Sequence, residues 1–253
     1  MAELLMGVDD TDIVGHKPGT GRLARELGAH LAAQGLARLI GVVRQQLLVD
    51  PRIPYTSHNS PACLVLGVEA TSDGSARRLF ATAAQYVSER SAEGSDPGLC
   101  LAQAPTVSRA VQEFGARAST DVVRKAEALS LAAREGVLLQ ELGGSGDGVI
   151  GALAGVGLTA TGHAGRFLEY AGGLRDLGDS LAAGSLRRRG IALLNLARNA
   201  ELIPDDAMIW TGDRIRPRLL GGLPVLLVEN GPEGWRCFDR KAPHSDAHGD
   251  EEG

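Results

Sequence analysis

Three aspartates stand within four positions near the start of the chain, Asp9, Asp10 and Asp12 in the run MGVDDTD over residues 6–12. Hard divalent cations such as Mg²⁺ take carboxylate oxygens, so such a run can hold a metal against phosphate groups. The same residues also make a solvated turn with a helix cap, because Asp and Thr bond their own backbone readily. A second candidate is GGSGDG, with Gly143, Gly144, Gly146 and Gly148. Glycine lets backbone N–H groups approach phosphate oxygens, and the helix pattern starting near Val149 adds a favourable dipole. No GK[ST] closes the run, so it is not a Walker A loop, and no ribose-binding acid supports a dinucleotide reading. The alternative is a plain turn before a tightly packed helix whose small residues include Gly151, Gly155 and Gly157. A third stretch, YTSHNSP over residues 55–61, gathers hydroxyls, the His58 imidazole and the Asn59 amide. His58 is either a general acid or base near neutral pH or a solvated loop residue. Arg44 suits a phosphate bidentately or serves structure alone. The run Arg187, Arg188, Arg189 reads first as a solvated helix face and second as an RNA contact.

The elements that must position these residues alternate along the chain. ELLMGVDD reads as a short buried strand ending at the aspartates. Leu23, Leu27 and Leu31 repeat at helical spacing after a glycine-containing loop, with Thr20 as the expected N-cap and Gly35 as the stop. ARLIGVVRQQLLV and ACLVLGVEA read as strands around a polar, proline-bounded loop. Ser72 opens a second helix, LCLAQA forms a strand, and two helical stretches follow near 106–116 and 119–135. VLLQEL resumes a strand before the glycine run. Beyond residue 165 the pattern weakens, apart from the β-like AMIWTG and LPVLLVE. Strands alternating with helices predict an α+β layered fold, a mixed sheet with helices.

Composition narrows the function classes. The 253 residues are 43% hydrophobic, 23% charged and only 4% aromatic, with 34 glycines, an ordinary profile for a globular chain packed from small aliphatic residues. A formal net charge of −5 argues against a generally basic nucleic-acid binder. Cys63, Cys100 and Cys237 form no CxxC pair, which gives neither a zinc ribbon nor a disulfide framework and fits idle thiols in a reducing compartment. The absence of a membrane-length apolar run and of a signal-peptide plan predicts a cytoplasmic protein without membrane partners.

The order of the motifs is more specific than any one of them. GVDDTD, a G-T-G helix start, VVRQQLLVDPRIPYTSHNSPACLVL and ELGGSGDGVIGALAGVGL together resemble the N-terminal half of the archaeal 2-agmatinylcytidine synthetases, which modify an isoleucine tRNA. That family carries a GIDDTD-type motif, an R-L-x-P-x-I-P-type segment running into a loop that ends with asparagine, and a G-x-G-x-IGALAAIG-type segment. The resemblance covers about residues 5–160. It implies an ATP-using kinase-like domain joined to a ferredoxin-like domain, here read as residues 1–61 with 139–243 and as residues 62–138, followed by a disordered acidic tail at 244–253. In the family, a cytidine carbonyl oxygen in the anticodon is phosphorylated and agmatine displaces the phosphate.

Carried over residue by residue, the resemblance makes Asp9, Asp10 and Asp12 the Mg²⁺ and phosphoryl-transfer aspartates. Asn59 falls on the family's asparagine, and Gly146, Gly148 and Gly151 fall on its glycine-rich segment. The 143–148 loop and Thr20 then donate hydrogen bonds to the ATP phosphates, Arg44 neutralises developing charge, and His58 and Asn59 face the acceptor. The family's OB-fold and zinc ribbon have no counterpart in these residues, and its K-T-R-G-N loop is YTSHN here. RNA is held mainly through Lys and Arg. The sequence therefore predicts an ATP- and Mg²⁺-dependent phosphotransferase or ligase that activates an oxygen of a small molecule. Its alternatives are an anticodon-cytidine tRNA-modifying enzyme working with a partner protein and a non-catalytic nucleotide-binding module. Whether the chain forms a homo-oligomer is left open.

Overall fold

The first strand, β1 (Ala2–Asp9), has two different faces. Successive side chains of a strand point to opposite sides, so Leu4, Met6 and Val8 share one face while Leu5, Gly7 and Asp9 share the other. The computed structural model describes residues 2–15, 19–54, 58–69, 72–171, 173–197, 202–212 and 214–238. Tyr55, Thr56 and Ser57 of the polar loop and the acidic segment 244–253, expected to be disordered, lie outside the described residues.

Strand β1 pairs antiparallel with β3 (Ala62–Val68) on one side and with β4 (Gly98–Gln103) on the other. β2 (Arg38–Arg44) follows β3, giving the order β4-β1-β3-β2. Helix α1 (Thr20–Ala33) joins β1 to β2, and α2 (Asp73–Arg90) joins β3 to β4. This β-α-β-β-α-β order is that of a ferredoxin-like unit, and residues 2–103 trace it, whereas the sequence reading put such a unit at 62–138. The difference arises because β1 pairs with both later strands, a long-range choice that no local pattern announces.

The sheet extends at both edges. β5 (Leu138–Glu141) joins β4, and β6 (Arg166–Tyr170) joins β2. Beyond β6 come β10 (Arg218–Leu220), β11 (Leu223–Gly231), β12 (Gly234–Cys237), β9 (Met208–Trp210) and β7 (Ser180–Ala182), while β8 (Ala192–Asn195) runs parallel to β11. The described residues thus form one mixed sheet of twelve strands. The basic stretch after residue 183 gives only a short helix, α6 (Ala183–Arg188), before turning into β8.

Helices α1 and α2 cover the Leu4, Met6 and Val8 face with Leu23, Leu27, Leu31, Leu79, Ala83 and Val87. The other face receives α5 (Gly148–Ala160), with α3 (Arg109–Ala118) and α4 (Lys125–Glu135) packed outside it. A helix apolar all round belongs in an interior, and α5 is buried on nearly every side. Its closeness to the sheet depends on glycine: a methyl group at Gly7 would overlap the Ala152 carbonyl, and one at Gly98 would overlap the backbone at Gly148 and Val149.

Local chemistry sets several helix ends. Ser72 and Ser75 form a reciprocal capping box, with Ser75 N donating to Ser72 Oγ at 3.2 Å and Ser72 N donating to Ser75 Oγ at 2.9 Å. Gly19, not Thr20, is the N-cap of α1, and Thr20 is its first helical residue. Helix α4 starts at Lys125 rather than at 119, because Ser119–Thr120–Asp121 close the end of α3 through N–H bonds to Gly115, Ala116 and Arg117 carbonyls. No helix among the described residues is long and apolar enough to cross a membrane.

Candidate active site

The site begins where β1 stops. Asp9 projects towards α5, and a side chain at Gly151 would overlap its carboxylate. Gly151 therefore makes room for Asp9. Asp10 turns the chain through a left-handed backbone conformation with φ 56°, unusual for a residue other than glycine and concentrated at functional turns. Thr11 is buried, its Oγ1 donates to Thr20 Oγ1 at 3.0 Å, and its carbonyl accepts from Ala92 N at 2.9 Å. These bonds anchor the aspartate turn to the start of α1 and the end of α2. Asp12 lies beside Gly19, where an added Cβ would stand 2.8 Å from its Oδ2.

Crowding and burial shape the carboxyls. Burial, helped by the neighbouring Asp10 charge, pushes Asp9 up to about 8 from an ordinary 3.8. Asp10 rises to about 6, through burial first and then the charges of Asp96, Asp12 and Asp147. Among the described residues no three His, Cys, Asp or Glu side chains converge closely enough to hold a metal ion unaided. Mg²⁺ is commonly held by one or two carboxylates together with substrate phosphates, and two desolvated, mutually repelling carboxyls fit that role.

Two cavities meet at these residues. The first, of about 290 Å³, is lined by Asp9, Asp10 and Asp12, the start of α1 at Gly19–Thr20–Gly21, Arg44, His58 and Asn59. Arg22, Arg25, Arg175, Arg214 and Arg216 complete its wall. Arg44 Nε donates to Ser60 Oγ at 2.9 Å, and burial with the nearby Arg216 charge lowers its pKa against the pull of Asp12. Arg25 is lowered by burial and by Arg175, against Glu169. Two pairs of like charges therefore stand in one cleft, an arrangement that an oxyanion relieves through charge-assisted, bidentate bonds.

The second cavity, of about 180 Å³, shares Asp9, Asp10, Pro54 and Asn59 with the first. Its remaining wall sets three aspartates, Asp96, Asp121 and Asp147, and Arg52 among apolar side chains such as Leu47, Ile53 and Val122. Asn59 sits on the seam: its Nδ2 donates to the Leu48 carbonyl at 2.8 Å, and its own carbonyl accepts from Leu47 N at 2.9 Å and Gln46 Nε2 at 3.0 Å. It shapes the loop between β2 and β3 as well as facing both spaces. His58 is exposed at the mouth of the first cavity.

The structure separates the glycine-rich loop from the cleft. Gly143, Gly144 and Gly146 line neither cavity, whereas Gly148 and Gly151 line the acidic one. The loop folds onto Asp96: Ser145 N donates to the Asp96 carboxylate, and Gly148 N donates to its carbonyl at 3.0 Å. Gly146 N donates to the Gly143 carbonyl at 3.0 Å, and Asp147 N to Ser145 Oγ at 3.3 Å. These donors are used within the protein.

Against this geometry, no protein-family model and no curated protein matches the chain. Solved structures do. A tRNA fluorescent labelling enzyme matches 61% of this chain and 36% of its own at 25% identity, with a TM-score of 0.51. A complex of TiaS with an isoleucine tRNA and ATP matches 62% of this chain and 36% of its own at 25% identity, also at 0.51. The chain has a TiaS-like fold. The resemblance read from the sequence thus reappears as a likeness of structure. A TiaS complex with the same tRNA, AMPCPP and agmatine, at 23% identity and TM-score 0.50, shows the fold alone. The chain spans about a third of the length of these matched structures, with 36% of theirs covered.

Within the TiaS-like frame, the structure adds residues that sequence reasoning missed. Arg25, Arg175, Arg214 and Arg216 join the cleft, and Asp96, Asp121 and Asp147 form the acidic wall. Strand register explains part of this clustering. β2 pairs with β6 at Arg44↔Arg166 and β6 with β10 at Arg166↔Arg218, which brings the segment holding Arg214 and Arg216 alongside the end of β2. The stretch RIRPR over residues 214–218 was the one visible signal, since alternate arginines in extended chain share a side.

Proposed function

We propose that this chain carries the ATP-dependent activating site of a tRNA-modifying enzyme, with an anticodon cytidine as acceptor in place of the small molecule expected from sequence. The observation that carries this reading is the set of arginines around the aspartates. The argument against RNA rested on the net charge of −5, the family modules without counterpart and the neutral YTSHN loop, yet Arg25, Arg175, Arg214 and Arg216 reach the same cleft from three other segments. A cleft lined by guanidinium groups beside carboxylates suits a triphosphate and its transferring phosphoryl group. The solved structures of like fold include complexes of an isoleucine tRNA with ATP, and of that tRNA with AMPCPP and agmatine.

Each element then has a task. Asp9 and Asp10 are the residues that would hold Mg²⁺, because a cation offsets the burial, and after it the neighbouring negative charge, that raise both carboxyls. When bound, that ion supplies charge stabilisation at the phosphoryl oxygens. The start of α1 turns its positive dipole end to the cleft. Arg44 and Arg216 neutralise charge near Asp12, and His58 at the mouth can hydrogen-bond the acceptor base. The acidic cavity suits a cationic amine, and its shared wall with the cleft at Asp9 and Asp10 would bring that amine to the activated carbon. Phosphoryl transfer to a carbonyl oxygen followed by amine displacement of the phosphate needs both spaces side by side.

The test is incubation of the protein with Mg²⁺, ATP, bulk tRNA and agmatine, followed by mass spectrometry of the digested nucleosides. A cytidine adduct that requires all components supports the proposal. ATP consumption indifferent to tRNA would return the acceptor to a small molecule. Nucleotide binding without turnover would leave a non-catalytic module.

A further inference from the structure

Independently of the cleft, we propose that the outward face of the sheet formed by β8, β11, β12 and β9 docks a second copy of this chain, face to face about a two-fold axis.

Strand register defines the face. Residues opposite one another in paired strands share a side. β11 sets Leu227 opposite Leu194 of β8 and Glu229 opposite Arg236 of β12, and Arg236 stands opposite Trp210 of β9. Phe238 N donates to the Leu227 carbonyl at 2.9 Å, so Leu194, Leu227 and Phe238 form one row across the strands. Alternation adds Leu196, Met208 and Leu223 to the same side. The opposite side carries Ile209, Leu226, Val228 and Cys237, which belong to the core beneath the sheet. None of the outward residues joins either apolar core. Leu194, Leu196, Met208, Trp210, Leu223 and Phe238 are instead between 38% and 56% exposed.

Area, charge and relief all favour a copy of the chain itself as the occupant. At these exposures the six side chains present on the order of 500 Å² of apolar surface, as much as the largest patch of an ordinary monomer. One such face against another removes roughly 1,000 Å², the threshold for a specific interface. An occupant has to bring a matching apolar face, and a second copy brings one. Glu229 and Arg236 close their pair across the face at 2.8 Å, so its central charges cancel. Arg218 lies at the margin, beside Val225. A nucleic acid or a strongly charged protein gains little from such a surface, whereas two copies meet on it without repulsion.

An isologous interface needs projections and recesses on one surface. Leu194, Trp210 and Phe238 supply the projections. Gly231 opposite Gly234 leaves a strip without side chains next to β9, and a Cβ built at either glycine meets nothing nearer than 4.0 Å. Rings of one copy can seat in that strip of the other, with the two sheets ~10 Å apart as in a sandwich.

The test is sedimentation velocity of the full chain over about 1–100 µM. Wild type should reach twice its 26.4 kDa at the upper end. The dimer should persist in about 1 M NaCl, because apolar contact is not screened by salt. Trp210→Glu with Phe238→Glu should weaken dimerisation about a hundredfold at unchanged circular dichroism, since both side chains are exposed in the single chain. Leu194→Lys, at the other end of the row, should weaken it about tenfold. A monomer throughout overturns the proposal, and so does a dimer that these substitutions leave intact or that salt dissolves. Acrylamide quenching gives a second readout. The Trp210 emission, taken as the difference from Trp210→Phe, should become less accessible as protein concentration rises. A Trp210 already shielded in the dilute monomer would mean that the chain's own residues cover the face, which also overturns docking.

Discussion

The turn that leaves β1 and the loop that enters α5 look alike in sequence, since both combine glycine or threonine with aspartates and both precede helices. In the folded chain they part. The β1 turn opens onto the arginine cleft, with the start of α1 beside it. The 143–148 loop closes on Asp96, which takes the Ser145 N–H on its carboxylate and the Gly148 N–H on its carbonyl. An anion cradle needs N–H groups aimed outward, and here Asp96 of the same chain already receives two of them, one on its carboxylate and one on its carbonyl. Glycine content says that a backbone can bend closely. It does not say what it bends around. At 143–148 the purpose is depth: the loop fastens the start of α5 to β4 and so holds Gly151 over Asp9.

The comparison breaks or sharpens first at the cleft. Asp10→Asn should lower turnover about a thousandfold, since charge-stabilising groups at phosphoryl transfer act as a unit. Full activity in that variant would move the chemistry away from the β1 turn altogether. Gly151→Ala should lower turnover about a hundredfold, because the added methyl group displaces the Asp9 carboxylate and small misplacements are costly in a preorganised site. Steady-state kinetics should show this as a fall in kcat. A variant with unchanged kcat would mean that the position of Asp9 is not what α5 controls.

How far the sequence reveals this arrangement depends on the range of the interactions. β1, α1, α2 and α5 are legible because their signals are local: the short apolar run in ELLMGVD, leucines at Leu23, Leu27 and Leu31, the Ser72 cap, and small residues throughout α5. The aspartates are legible too, as a strand end facing a ligand space. The arginines are not. Arg25 looks like any exposed helix charge, Arg175 lies in an irregular loop, and Arg214 and Arg216 precede a three-residue strand. The pairings β2–β6 and β6–β10, between residues far apart in the chain, bring Arg214 and Arg216 to the end of β2. The ferredoxin-like order escapes for the same reason, since it depends on β1 choosing partners at 62 and 98 rather than its neighbour in sequence.

At the glycine loop the expected effect is on stability, not on the ligand. Gly144 has φ 54° and faces Asp96, so Gly144→Ala meets both a strained backbone and a carboxylate in its path. We expect a loss of about 1–3 kcal/mol in unfolding free energy, read by urea titration, with tripolyphosphate affinity unchanged within about twofold. Weakened tripolyphosphate binding at full stability would restore the loop to the phosphate site and dissolve the contrast.

The smallest effect concerns pH. Burial first, then the Asp10 charge, raises the Asp9 carboxyl to about 8 from an ordinary 3.8. A carboxyl whose folded pKa lies above its unfolded value binds its proton more tightly in the folded chain. Stability is then greatest below the unfolded value and falls as pH rises towards the folded one. Asp10, raised to about 6, adds the same slope over the lower part of that window. The ligand-free protein should therefore lose melting temperature between about pH 5 and pH 8, and Asp9→Asn should flatten the fall because its amide carries no charge to bury. Saturating Mg²⁺ and tripolyphosphate should flatten the wild-type curve in the same way, since a cation beside the carboxylates favours their ionised form. Thermal scans across this range, with and without the ligands, distinguish the cases. Parallel curves for wild type and Asp9→Asn would mean that water reaches Asp9 freely, and the end of β1 would then be the solvated turn that its sequence equally allows.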